Sequence, residues 1–224
     1  MVGPVLFVLL AVFALVVAVL VSQVRQKEAQ AFAASLGFQY SKRDNLGIGR
    51  LRHRVLNRGD RQRFENLVYG EFEGNEVTLF DFTYYQRTHN SKGMTRETST
   101  SLSAARLLLP ASLPPIDISR EGFLTRMANA MGIGKDVQFE WEEFNREYRI
   151  RCSDQRFAFM MVDSAMMHWL MDQDSRYDLE ILGSDLVVVG KRLKWPEMTT
   201  LLEYIGDFKA QIPRLVWDSY ETEK

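Results

Sequence analysis

No charged side chain occurs in the first 24 positions of this 224-residue chain, and then Arg25 and Lys27 arrive almost together. Residues 2–21 are nearly all Val, Leu, Ala and Phe. A helix rises about 1.5 Å per residue, so roughly 20 such residues cross a hydrocarbon core about 30 Å thick. Residues 4–22 fit that length. Every helical face of the run is apolar, whereas a helix lying on a soluble core carries a polar stripe. Pro4 falls near the helix start, where its missing N–H is harmless. The pattern predicts a transmembrane helix over residues 1–24. A cleaved signal peptide would need a basic leader and a small-x-small cleavage site. No Lys or Arg precedes the run, and Ala18-Val19-Leu20 lacks the second small residue.

The flanks predict the orientation. Only the amino terminus lies ahead of the span, while Arg25, Lys27, Lys42 and Arg43 follow it. The positive-inside bias then places the N-terminus outside and the rest of the chain in the cytoplasm, at the cell membrane.

Some 200 residues remain, enough for one domain or two small ones. Aromatics at 12% and charged residues at 25% describe a chain that buries a core rather than a disordered tail. The single Cys152 excludes an intrachain disulfide and a cysteine-based zinc site, in keeping with a reducing compartment. The net charge of −1 hides an asymmetry. Lys42, Arg43, Arg50, Arg52, Arg54, Arg58, Arg61 and Arg63 face only Asp44 and Asp60 in their own stretch, and the second half of the chain runs acidic. Basic side chains beside a cytoplasmic leaflet are attracted to anionic lipid, by about 1 kcal/mol each. Together with Arg25 and Lys27, these eight form a candidate headgroup collar. The plainer alternative is a solvated linker that only obeys the positive-inside rule. Nucleic acid is not an expected partner, because no fold-specific motif accompanies the basic stretch.

Residues 26–36 continue the helix, with Ala29, Phe32, Ala33 and Leu36 at helical spacing and Gly37 as a stop. Residues 41–63 read as an irregular basic connection. Residues 67–73 and 76–86 read as strands joined by Gly74-Asn75, with Phe80, Phe82 and Tyr84 on one face and Val77 and Leu79 on the other. Residues 88–99 read as a long polar loop, and 100–109 as the next strand of a meander. Pro110, Pro114 and Pro115 suggest an internal boundary near 110–115. Beyond it, the pattern predicts a helix at 121–131, a strand at 144–152 and a helix from 155 capped by Asp154, with Asp163 capping a further turn. A hairpin over 177–191 turns at Gly183, and a last helix follows Trp195-Pro196 and ends near Ile212-Pro213. The expected class is α+β: one N-terminal transmembrane helix (1–24), a juxtamembrane helix and basic linker (25–63), and a soluble domain of antiparallel sheet with packed helices (64–213). Residues 214–224 form a tail.

Several segments carry a likeness. They are Tyr69-Gly70-Glu71-Phe72-Glu73-Gly74 with Val77 and Phe80-Asp81-Phe82, Ala33-Ala34-Ser35-Leu36-Gly37-Phe38, Phe139-Glu140 with Glu143-Phe144-Asn145 and Tyr148, and Asp154 with Arg156-Phe157-Ala158 before an apolar helix. On these the chain resembles an uncharacterised family of bacterial single-pass membrane-anchored proteins, a domain of unknown function. The resemblance implies a bacterial, single-span, otherwise soluble architecture, and it carries no activity, cofactor or site residue.

Chemistry is sparse in the sequence. His53, His89 and His168 stand at no ligand spacing, so no metal or cofactor is expected. Glu140, Glu142, Glu143 and Glu147 cluster, but Arg146 and Arg149 stand among them as in a charged surface patch. Asp81, between Phe80 and Phe82, is the odder carboxylate, because an inward-facing acid must pair or shift its pKa. A structural ion pair is its favoured role. Cys152 falls on an apolar strand face, as a small hydrophobe does. Gly132-Ile133-Gly134-Lys135 lacks phosphate-loop spacing and reads as a helix end. Met160, Met161, Met166, Met167 and Met171 read as core. The sequence thus points to a membrane-anchored, non-catalytic interaction or scaffold domain whose partners are the bilayer, anionic headgroups and an unidentified membrane or cytoplasmic protein. The alternative is a membrane-bound hydrolase using acids such as Asp81 or Glu140.

Overall fold

The computed structural model describes residues 2–89, 94–120, 134–174 and 177–220, with side chains from residue 9 onward except Ala11 and His89. The helix expected at 121–131 lies outside the described residues.

The chain begins with one unbroken helix, α1 (Val2–Leu36), which ends where Gly37 takes a left-handed φ of 68°. The helix runs past residue 24 without a break, as the helical spacing of residues 26–36 leads one to expect. Among the described residues, no helix is long and apolar enough to cross a membrane, and the span expected over 1–24 is not established by the fold.

The rest is α+β, as the sequence predicts. Strands β1 (Gln39–Arg43), β2 (Arg61–Phe72), β3 (Asn75–His89) and β4 (Thr95–Arg120) form an antiparallel meander. Strands β5 (Lys135–Val137), β6 (Tyr148–Cys152) and β7 (Asp178–Lys191) complete a seven-stranded sheet in the order β1-β2-β3-β4-β6-β5, with β7 along the other edge of β4.

Strand β4 organises this sheet and overturns three expectations. It starts at Thr95, and β3 reaches His89, so most of the polar stretch 88–99 is ladder rather than loop. Thr88, Thr95 and Thr98 are β-branched, which favours strand, and their hydroxyls suit a solvated face. β4 then runs straight through Pro110, Pro114 and Pro115, so no boundary falls at 110–115. The prolines sit where the β3 ladder has ended at Leu107 and the β6 ladder starts only at Ile116, and where the β7 register shifts twice. A residue without an N–H is tolerated at such bulges. Third, 177–191 is not a hairpin. Residues 179–181 and 185–191 both pair with β4, and Gly183, at φ 65°, bends the strand without reversing it.

The helices pack on one face. Expected strand 144–152 begins instead with a helical turn, α2 (Glu142–Glu147), which Asn145 secures by accepting from Phe139 N and donating to Phe139 O. Helices α3 (Gln155–Met161) and α4 (Ser164–Asp172) start at Asp154 and Asp163, whose carboxylates accept from Phe157 N and Met166 N as caps. Helix α5 (Met198–Gln211) follows a short 3-10 turn (Trp195–Glu197), and α6 (Arg214–Tyr220) occupies what reads in sequence as a tail. These helices, with Ala29, Phe32 and Ala33 of α1, bury the larger core, which includes Leu79, Ile116, Ile181, Trp195 and Phe208.

Among the described residues no α-helix contributes to the core on the second face of the sheet. Phe80, Phe82, Tyr84, Ala104 and Val187 are covered by Ile48, Val55 and Leu56 from the connection 44–60. That connection acts as a strap. It rejoins the sheet at Gly59, φ 65°, where a Cβ would stand 2.3 Å from the Tyr85 carbonyl oxygen. Gly59→Ala should therefore cost about 2 kcal/mol in chemical denaturation. Wild-type stability in that variant would show that the strap does not close there.

Candidate functional site

Two charged assemblies tie this fold together, one on each face. On the helical face the joint is Arg25. Three residues past Ser22, it lies only about 4–5 Å further along the helix axis than the end of the apolar run. It is buried, and its Nε and NH2 donate to both oxygens of Asp81, at 3.0 and 2.5 Å. Its NH1 donates to the Leu193 carbonyl at 2.7 Å, and its guanidinium lies over the Trp195 ring. Asn66 donates to Asp81 at 2.9 Å and accepts from the Tyr40 hydroxyl at 2.8 Å. Burial, then the nearby Asp81 and Glu65 carboxylates, push the Tyr40 hydroxyl up to about 12, so it stays a donor even in mildly alkaline solution. A bidentate arginine pair with further partners is the arrangement that makes a buried charge tolerable. The structural ion pair expected for Asp81 is present.

On the opposite face the strap lies over acids. Asp117 of β4 and Glu180 of β7 are register partners, and Asp178 projects from the same face as Glu180. Like charges directly across a ladder repel. Arg54 pairs with Asp117, Arg58 donates to Asp178 at 2.7 Å, and Val55 N donates to Glu180 at 2.8 Å. Burial pushes all three carboxyls upward, against the pull of the arginines on Asp117 and Asp178 and of backbone donors on Glu180. His53 Nε2 lies 3.2 Å from the Asp185 carbonyl, and burial lowers its pKa. Sequence reasoning missed this assembly. Its signal was Ile116-Asp117-Ile118 and Asp178-Leu179-Glu180-Ile181, acids alternating with aliphatics, alongside arginines four residues apart at Arg54 and Arg58.

The ten basic residues of the expected collar divide. Arg25, Arg54 and Arg58 turn inward onto carboxylates, and Arg61 and Arg63 pair at the surface with Glu97 and Glu65. Lys27, Lys42, Arg43, Arg50 and Arg52 are exposed. Arg50 and Arg52 flank an open cleft of about 390 Å³ lined also by Leu56, Asn57, Gln62 and Phe64. It belongs to the strap, on the face of the sheet away from α1. Three of the ten are thus taken up as counter-ions of buried carboxylates, and the other seven remain at the surface.

Groups with chemical potential are dispersed. Glu140, Glu142 and Glu143 are exposed, while Glu147 accepts from Arg120 at 3.3 Å. Asp81 is bound by Arg25 and Asn66, with no histidine among its hydrogen-bond partners in the described residues. Cys152 is buried, its one S–H is within reach of both the Pro115 and Asp154 carbonyls, and burial raises its pKa, the reverse of nucleophile activation. His168 is exposed beside the Trp141 ring. Met161 and Met166 are fully buried, and Met160, Met167 and Met171 pack against the same core. Among the described residues no three His, Cys, Asp or Glu side chains are grouped to hold a metal.

No protein-family model matches the chain, and no curated protein matches it in sequence. A solved structure, the crystal structure of the mycobacterial trehalose monomycolate transport factor A, TtfA, is similar in fold. The two superpose with a TM-score of 0.59 and 13% identity, over 84% of this chain and 96% of that one. At that identity the likeness is one of fold.

Proposed function

We propose that this chain is a membrane-anchored, non-catalytic interaction domain that serves as an accessory factor in membrane-linked transport. One observation carries the reading. The helix that builds the domain core through Ala29, Phe32 and Ala33 is the same helix that presents Leu9, Leu10, Phe13, Leu15, Val19, Leu20 and Val24 to the surroundings, each 48–68% exposed. Apolar exposure on every side of a helix is stable in lipid and costly in water. A rigid helix docked by Arg25 passes the orientation of the span directly to the domain. The fold shared with a transport factor supports the accessory role, and the basic flank after residue 24 supports a cytoplasmic domain.

The test is fractionation of the full-length chain expressed in bacteria. It should stay with the membrane pellet through an alkaline wash, and Leu15→Arg should shift a measurable fraction to the supernatant. The central charge costs about 3 kcal/mol on insertion. A wild-type protein recovered in the alkaline supernatant would refute the anchor. A reporter active only outside the cytoplasm, fused after Lys224, should stay silent, and its activity would reverse the orientation.

A further inference from the structure

The fold brings a second group of basic side chains to the base of the helix, from a part of the sequence 168 positions away. Arg25 NH1 holds the carbonyl of Leu193, and Leu193 N donates to the Ser103 hydroxyl at 2.9 Å. Residue 193 is thereby fixed against α1 within one helical turn of the end of the apolar run. Its neighbours Lys191, Arg192 and Lys194 are all exposed, and Lys27, two residues beyond Arg25, is exposed at the same level of α1 but about 200° round the helix from it. None of these four has a carboxylate ion-pair partner among the described residues. The nearest acids in sequence are Glu28, half-buried, and Glu197, whose carboxylate accepts from Lys194 N at 3.1 Å. The patch is thus net positive at the level where the helix would leave the hydrocarbon.

We propose that Lys191, Arg192 and Lys194, with Lys27, form the membrane-facing surface of the domain and bind anionic phospholipid headgroups. This rests on the membrane reading above. It replaces the strap arginines as the lipid contact, for a physical reason. Arg54 and Arg58 are consumed by buried acids, and Arg50 and Arg52 lie across the sheet from α1, whereas the 191–194 segment is hydrogen-bonded to the helix itself. Basic side chains held next to an anionic leaflet are attracted strongly there and only weakly a Debye length away, so position decides which arginines count.

The experiment is a thermal melt of the full-length protein in detergent micelles doped with phosphatidylcholine or with phosphatidylglycerol. Phosphatidylglycerol should raise Tm by about 5–10 °C over phosphatidylcholine, and added salt should reduce the difference. The triple variant K191Q/R192Q/K194Q should lose that difference while melting like wild type in phosphatidylcholine, and R50Q/R52Q should keep it. Inorganic phosphate should produce no comparable rise. Equal melting in the two lipids, a difference that survives the triple substitution, or one reproduced by phosphate would each overturn the inference. If wild type stays in the alkaline-washed pellet yet shows no preference, only the headgroup contact fails. If it leaves the membrane altogether, the anchor fails first.

Discussion

Asp81→Ala should destabilise the protein by about 3–5 kcal/mol, a fall in Tm of roughly 6–20 °C for a chain of this size. The substitution leaves the Arg25 guanidinium, whose side chain is only 10% exposed, with the Leu193 carbonyl and the Trp195 ring as its remaining partners. It also leaves the Asn66 amide, which donates to Asp81, without that acceptor. Removing one member of a buried pair costs more than the pair itself contributes, because the survivor remains desolvated. Arg25→Leu with Asp81→Leu should therefore melt closer to wild type than Asp81→Ala alone. Urea unfolding of the full-length protein in one detergent, followed by tryptophan fluorescence, measures both. A cost under about 1 kcal/mol for Asp81→Ala would mean that water reaches the pair and that the clasp is not closed.

Arg54→Leu should cost a similar amount at neutral pH, and its cost should depend on pH. Asp117 has no exposed side-chain surface, and burial already raises its carboxyl above the ordinary range. Loss of Arg54 removes the main attraction that opposes that rise. A carboxyl whose folded pKa lies above its unfolded one is bound more tightly to its proton in the folded state. Its stabilisation is complete below the unfolded value near 3.9 and disappears as pH climbs through the folded value. The variant should accordingly be least stable relative to wild type at pH 8 and should recover towards it as pH falls to 5. Asp178 and Glu180 titrate in the same direction, while His53, with its lowered pKa, loses stabilisation as pH falls and is present in both proteins. Paired urea titrations across that range give the difference directly. A penalty independent of pH would show that Asp117 does not take up the proton.

The two clasps differ in how far they were legible. Asp81 stood out because a lone acid between two phenylalanines on a strand must be paired if it faces inward. Its partner did not, because the sequence places Arg25 after the apolar run, where membrane topology alone explains an arginine. The strap was misread for the same reason. A basic, glycine-containing, aperiodic stretch looks solvated until the sheet face beneath it is seen to carry Asp117, Asp178 and Glu180. The hairpin expected at 177–191 failed because Gly183 permits both a reversal and a bulge, and the long β4 beside it selects the bulge.

What the sequence determined by itself is whatever depends on local period and local charge. That includes the charge-free helix and its basic flank, the two-sided β3, the caps at Asp154 and Asp163, and the α+β class. Those signals lie within a few residues of one another, so no tertiary contact is needed to read them. The tertiary structure alone decided which basic residues are free. A charge becomes a counter-ion or a surface group according to what lies across the sheet from it, often more than 50 positions away, as Arg25 does from Asp81 and Arg54 from Asp117. It also decided what stands beside the charge-free run: Leu193, held by Arg25, sets Lys191, Arg192 and Lys194 next to a helix that ends 155 residues earlier.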